Sequence, residues 1–201
     1  QKYPNPKYED EANELVSEAY LFSNNYQAAL QYIESLKKRS PRINAAYQRI
    51  AYNQAVKFYN EEKYADARPY FEKSLISPEN PETKYAAIFW KAESFSAQSQ
   101  YREAIPLYIS LINTNDPSTT SLKELQEKSR YALGYSYYNI QEFDKANKVF
   151  KDYADIMKKS PNAQAYQDLI IAFRNGMPIR LQQIGRAIDS VENTKIASWF
   201  N

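Results

Sequence analysis

The chain has 201 residues with 26 basic and 24 acidic side chains, and its formal net charge of +2 provides no strong field for nucleic acid or an acidic membrane. It lacks cysteine and histidine, which excludes disulfides, Cys/His zinc sites, a cysteine nucleophile and a Ser-His-Asp triad within the chain. Only 3 glycines stand among many Ala, Leu, Glu, Lys and Gln residues, a composition that favours helix.

The first seven residues contain Pro4 and Pro6 and predict an extended lead-in over 1–7. The sequence starts at Gln1 rather than Met, so we expect a processed protein or an excised fragment, with any signal peptide or lipid anchor upstream. No apolar run approaches the roughly 20 residues that span a bilayer.

A first pair of helices is predicted over 8–23 and 26–38, separated by the turn signal Asn24-Asn25. The second helix places the small Ala29 four residues before Ile33, and Pro41 is predicted to end the unit. Helical spacing of this kind puts both residues on one face, towards the partner helix.

Two further helix pairs follow with the same order of small and large residues. Their first helices carry the apolar stripes Ala51, Ala55, Phe58 and Ile88, Ala92, Phe95. Their second helices carry Tyr64, Ala67, Phe71 and Tyr101, Ala104, Tyr108. Pro69 and Pro106 each follow the small alanine by two residues, which we place near the first turn of the second helix.

The clearest unit is RYALGYSYYNIQEFDKANKVFKDY, residues 130–153. Leu133, Gly134 and Tyr137 share one stripe, and Phe143, Ala146 and Phe150 follow in the next helix. Gly134 and Ala146 are small, so two antiparallel helices can approach closely there, while the large residues fill the surrounding space.

This pattern resembles the tetratricopeptide repeat, with Leu-Gly-x-x-Tyr in helix A and Ala-x-x-x-Phe in helix B. The resemblance implies an all-α fold, a right-handed α-solenoid of antiparallel helix pairs. Four units are predicted, at about 8–41, 42–80, 81–117 and 119–160.

Beyond Pro161 the pattern decays. We predict a helix over 162–174 that ends at Asn175-Gly176, and another from Pro178. Residues 161–201 are therefore expected to form a degenerate fifth unit or capping helices. Trp199 and Phe200 mark a possible terminal interface, where they either pack on the preceding helices or meet a continuation of a longer chain.

Helix A of such repeats lines the concave face of the solenoid, so the resemblance implies a groove that binds a protein or peptide. The residues placed there as partner-binding candidates are Tyr52, Asn53, Tyr59, Phe89, Trp90, Lys128, Tyr131, Tyr135, Tyr138 and Asn139. Tyr and Trp bury a large area at small entropic cost. A carboxylate clamp for chaperone tails is argued against, because its first-unit positions hold Glu14 and Glu18.

No constellation for catalysis stands out. The three glycines are scattered, so no phosphate-binding loop is present, and the acidic pairs fall on predicted solvated ends or faces. We predict a non-enzymatic scaffold without cofactor or metal, and with no nucleic-acid partner.

Two stretches, FWKAESFSAQSQYREAIPLYISL and YALGYSYYNIQEFDKANKVFKDY, resemble repeats of periplasmic tol-pal-associated and outer-membrane-assembly lipoproteins, and the use of Tyr, Asn and Lys resembles Bacteroidota scaffolds. This resemblance implies a role in a cell-envelope complex for assembly, secretion or gliding, in the periplasm or at the inner face of the outer membrane. Two alternatives stay open: a cytoplasmic location, and a helical accessory domain of a carbohydrate-binding or cell-wall-processing protein with Trp90 stacking on sugar.

Overall fold

The structure, a computed structural model, describes residues 8–23, 25–157, 170–174 and 177–180. The chain divides into two compact units, Gln1–Leu125 and Gln126–Asn201, which are described separately below. The predicted lead-in and the terminal Trp199 and Phe200 lie outside the described residues.

The first unit is built from successive helix pairs. Its helices are α1 Glu9–Ala19, α2 Tyr26–Ser35, α3 Pro41–Asn60, α4 Tyr64–Ser74, α5 Pro81–Ser96 and α6 Tyr101–Ile112, and a 3-10 turn, Tyr20–Phe22, follows α1. Helix α7, Ser121–Asn139, begins in this unit and ends in the second, where α8, Phe143–Met157, follows it. We call the odd-numbered helices A helices and the even-numbered ones B helices.

Consecutive helices pack against each other, α2 on α3, α3 on α4, α4 on α5 and α5 on α6, and the A helices α1, α3 and α5 also touch in order. The predicted repeat of antiparallel helix pairs is confirmed for the described helices by this packing. The small residues that set the repeat are fully or almost fully buried, as are the large residues four positions later. These residues are Ala29, Ile33, Ala67, Phe71, Ala104, Tyr108, Ala146 and Phe150.

Two A helices begin at a proline. Ser40 caps α3 by accepting a hydrogen bond from the Ile43 N–H at 3.3 Å, and Asn80 caps α5 by accepting one from the Thr83 N–H at 2.8 Å. Pro41 therefore starts α3 and does not end the preceding unit, so that prediction is wrong. Proline suits the first helical position because its missing N–H would have no partner there.

The A helices of three repeats end in the same way. Glu62, Ser99 and Gln141 have φ of 59°, 58° and 65°, in the left-handed region. The following amide donates back across the last turn, as from Lys63 N to Phe58 O at 2.9 Å. This six-to-one bond is the Schellman motif, which satisfies carbonyls that the helix end would leave unpaired.

Pro69 and Pro106 lie inside α4 and α6, at the sixth helical position. They are thus one turn deeper than the predicted first turn. Each removes one backbone hydrogen bond from its helix.

Gly134 allows α7 and α8 to approach closely in the second unit. A Cβ atom at this position would lie 2.5 Å from Cε1 of Phe150, which is 1% exposed. Phe143 does not help to fill the core as predicted, because it is 51% exposed at the start of α8. There it lies against Tyr138, with ring centroids 5.5 Å apart.

Two antiparallel strands occur in the second unit, β1 Ile170–Arg174 and β2 Met177–Arg180. Phe173 pairs with Pro178, and Arg174 with Met177. The helices predicted at these positions are therefore wrong; the rest of those predicted helices lies outside the described residues. The sequence IIAFR-NG-MPIR is better explained as a hairpin, because Asn-Gly between β-forming residues favours a two-residue turn over a helix end.

Candidate functional site

A cleft of about 540 Å³ opens on the A-helix side of the first unit. Its walls come from the end of the first A helix and its 3-10 turn, from the exposed side of α3, and from the start of α5. The lining residues are Glu18, Leu21, Arg42, Ala45, Ala46, Arg49, Tyr52, Asn53, Asn80, Glu82 and Thr83. Helix α3 contacts both α1 and α5. The α3 residues that line the cleft are spaced about one helical turn apart, so they lie on the same face of α3.

The two arginines of the cleft differ in their partners. Arg42 is tied to α1, with its Nη2 donating to Glu18 Oε2 at 2.9 Å and its Nη1 lying 3.5 Å from Glu14 Oε2. These carboxylates raise the pKa of Arg42, chiefly through the hydrogen bond with Glu18. Arg49, two turns along α3, is exposed, and in the described part of the chain no side chain pairs with it. Its guanidinium is available to a ligand.

A buried amide fixes the α5 wall of the cleft. Gln48, 1% exposed, accepts from the Asn80 N–H at 2.7 Å through Oε1 and donates to the Asn80 carbonyl at 3.0 Å through Nε2. The backbone carbonyl of Gln48 accepts from Ser74 Oγ at 3.0 Å. These bonds join α3 to the end of α4 and to the cap of α5, so the positions of Asn80, Glu82 and Thr83 depend on one side chain.

Tyr52 and Asn53, both predicted to bind a partner, line the cleft. The Tyr52 ring packs on Phe71, with centroids 6.1 Å apart, and its side chain contributes to the cleft wall. Burial raises the pKa of Tyr52, and a hydrogen bond with Trp90 opposes that rise. Tyr52 is therefore neutral at physiological pH and acts as a rigid apolar wall with a polar tip.

Tyr59 and Trp90 form a second cluster further along the same helices. Their ring centroids lie 5.0 Å apart in an edge-on arrangement, and Phe89 approaches Trp90 in the same way at 5.3 Å. Phe89 is only 4% exposed and also packs on Tyr108, which leaves little of its side chain accessible, and its predicted role in partner binding stays a prediction. Trp90 is half-buried between aromatic rings, which weakens the case for a sugar stacked on its face.

The candidates of the second unit are divided between core and surface. Tyr131 lies against Phe150 and Tyr153 at 6.1 and 6.0 Å between centroids, and burial raises its pKa to about 12. Tyr131 and Tyr138 thus have packing partners inside the repeat.

Tyr135 and Asn139 are the exposed members of the second-unit candidates, and Lys128 is half-buried. The Asn139 amide donates to the Tyr135 carbonyl at 2.8 Å, a bond within α7. Their predicted role in partner binding stays a prediction.

The residues missed by sequence reasoning are chiefly Arg42, Ala45 and Arg49. They fall at helical spacing with Tyr52, so the signal was present.

The chemistry of the cleft is that of recognition. Its charged groups are two arginines and two glutamates, and across the described ranges no three acidic side chains are placed to hold a metal ion. Within those same ranges, no helix has both the length and the apolar character to cross a bilayer.

A comparison with protein-family models matched the tetratricopeptide repeat over residues 128–162. The match covers the second half of α7 and all of α8, including Gly134, Ala146 and Phe150. The sequence of this helix pair therefore matches the tetratricopeptide repeat. Repeats of this type generally mediate protein–protein interaction and are typically not enzymes.

Proposed function

We propose that the chain is a non-enzymatic scaffold that binds a peptide or protein segment in the cleft between α1, α3 and the start of α5. The observation that carries the proposal is the Arg49 guanidinium, which no side chain of the described residues pairs with, in an open cleft beside Tyr52 and Asn53. A guanidinium matches a carboxylate in a bidentate geometry, and Tyr52 offers apolar area next to it. The preferred ligand is therefore a segment with a carboxylate next to an apolar side chain.

The fixed walls of the cleft add to this proposal. Arg42 is already neutralised by Glu14 and Glu18, so it braces α1 against α3 and leaves Arg49 as the group for recognition. The bonds from Gln48 to Asn80 hold the opposite wall. A preformed cleft lowers the entropic cost of binding a flexible peptide.

The first prediction concerns Arg49. Peptides of twelve residues selected from a displayed random library on the wild-type protein should be enriched in Asp or Glu beside an apolar residue. Their affinity for Arg49→Ala, measured by fluorescence anisotropy, should fall by about tenfold or more, since a charge-assisted hydrogen bond is worth about 1.5–3 kcal/mol. The loss should shrink at high salt because the partner charge is screened.

Arg102 supplies the matched control, since it is an exposed arginine on α6, away from the cleft lining. Arg102→Ala should leave the affinity unchanged, and both variants should retain the helical circular dichroism of the wild type. Peptides that bind Arg49→Ala and Asn53→Ala as tightly as wild type would contradict the proposal that the cleft is the binding site. The affinity of the same peptides for Tyr135→Ala tests whether this residue of the second unit also contributes to binding.

The place of action is a separate part of the proposal. Resemblance of 89–111 and 131–153 to repeats of envelope lipoproteins supports a scaffold of a bacterial cell-envelope complex, at the periplasmic side. The full-length protein, tagged in its native host, is then expected to become protease-accessible when the outer membrane is opened and the inner membrane kept intact. Protection from protease until the inner membrane is lysed would place it in the cytoplasm.

A further inference from the structure

An apolar stripe is exposed along the outer face of α1. Its residues follow helical spacing, and we define the α1 stripe as Tyr8, Ala12, Leu15, Val16, Ala19 and Phe22. Leu15 is 57% exposed, Val16 40% and Phe22 91%. At 1.5 Å per residue the stripe is about 20 Å long, or about four helical turns. Large apolar side chains aligned on one exposed face mark an interaction surface more often than single exposed residues do.

The later repeat units show which kind of element covers the equivalent face. Ala29, Ala67 and Ala104 hold the same position in successive B helices, and the residues seventeen positions before them are Ala12, Ile50 and Ala87. Ile50 and Ala87 are both fully buried, whereas Ala12 is exposed.

The cover over each interior position is the preceding B helix. Ile50 of α3 packs with Leu30 and Ile33 of α2, and Ala87 of α5 packs with Ala67 and Phe71 of α4. Within the described residues no helix precedes α1. The α1 stripe therefore has the position, spacing and apolar character of a surface that accepts a helix.

The charged residues along the edges of the α1 stripe indicate which charge a docked helix would carry. Helix α1 contains five carboxylates and no lysine or arginine. On the helical wheel Glu11 lies at one edge of the stripe and Glu9 at the other, whereas Glu18 is paired with Arg42. A second copy of the same face would bring these carboxylates against their own counterparts, which disfavours a symmetric dimer. Lysine or arginine at the edges of the occupant would complement them.

We propose that the α1 stripe docks an amphipathic helix of another protein, apolar on one face and basic along its edges, in the place that a preceding B helix would take. This surface is separate from the ligand cleft, since none of Leu15, Val16 and Phe22 lines that cleft. The scaffold thus has two sites, one for an acidic segment and one for a basic helix.

The test uses three labelled synthetic peptides of eighteen residues. One has leucine on one helical face and lysine at both edges, the second replaces each lysine with glutamate, and the third is a scrambled lysine peptide. The proposal expects the first to bind the full chain in fluorescence anisotropy, with the other two at least about tenfold weaker. Equal binding of the scrambled peptide would overturn it.

Two variants test where the lysine-edged peptide binds. Leu15→Glu should weaken the lysine-edged peptide about tenfold or more, because it places a charge in the middle of the apolar contact. Ile76→Glu, the same kind of change at a residue 67% exposed between α4 and α5, should leave it unchanged. An unaffected Leu15→Glu variant with wild-type circular dichroism would contradict the proposal.

Charge reversal tests the nature of the partner. The double variant Glu9→Lys, Glu11→Lys should prefer the glutamate-edged peptide. Light scattering tests the competing occupant, which is a second copy of the chain. A wild-type dimer that Leu15→Glu dissociates would show that a second copy binds the stripe, and it would overturn the proposal. Arg49→Ala should leave lysine-peptide binding intact, so the failure of the cleft and the failure of the stripe are distinguishable.

Discussion

Replacing Phe150 with alanine is expected to lower the free energy of unfolding of the second unit by about 3–5 kcal/mol, the usual cost of emptying a buried phenylalanine site. Phe150 is 1% exposed and its ring covers Gly134 on α7. The loss should be seen in guanidinium denaturation followed by circular dichroism, and as faster amide hydrogen exchange in α7 and α8. Phe143→Ala on the same helix, at a side chain 51% exposed, should cost less than about 1 kcal/mol.

The effect of Gly134→Ala on stability should change sign with the residue at position 150. In the wild type its Cβ would meet the Phe150 ring at 2.5–2.8 Å, and overpacking of about 1–3 kcal/mol outweighs the helix-propensity gain of about 1 kcal/mol. With alanine at position 150 the clash is gone, and Gly134→Ala should stabilise by about 1 kcal/mol. Additive effects in this double-mutant cycle would mean that Gly134 is not required for the close approach of the helices.

Replacing Gln48 with leucine is expected to destabilise the first unit by about 2–3 kcal/mol. The substitution keeps most of the side-chain volume but removes both bonds to the Asn80 backbone, of 2.7 and 3.0 Å. The Asn80 N–H and carbonyl must then find water or stay unpaired at the start of α5. Thermal unfolding measures the loss, and the cleft peptide should also bind more weakly, because Asn80 belongs to the cleft wall.

Gln27 provides the control for this substitution. It is an exposed glutamine on α2, and Gln27→Leu should change stability by less than about 0.5 kcal/mol. If Gln48→Leu is as mild as Gln27→Leu, the amide does not hold the wall. If stability falls while peptide affinity stays at the wild-type value, the wall is not part of the binding site.

Much of the fold follows from local sequence order. Ala67 with Phe71 and Ala104 with Tyr108 identify helix pairs, because a small residue permits contact only when a large one fills the adjacent space. The same logic failed at 170–180, where apolar residues at helical spacing equally fit two short strands. The Asn175-Gly176 sequence between them was the stronger signal.

The cleft was less accessible to such reasoning. Tyr52 and Asn53 were predicted from the repeat pattern, and they do line it. Arg49 was not selected, because a lone arginine on a helix is ordinary until its neighbours are known. Only the positions of Glu14 and Glu18 show that Arg42 is neutralised, whereas no carboxylate in the described ranges pairs with Arg49.

The sequence by itself determined the repeat, its small contact residues and the helical face on which each aromatic side chain stands, since these depend on spacing along one helix. The tertiary structure decided which of those faces are covered. Phe89 and Tyr131 are packed by neighbouring rings, whereas the α1 stripe is exposed. The reason is physical: helical periodicity fixes the direction of a side chain, but burial depends on whether another helix lies in that direction.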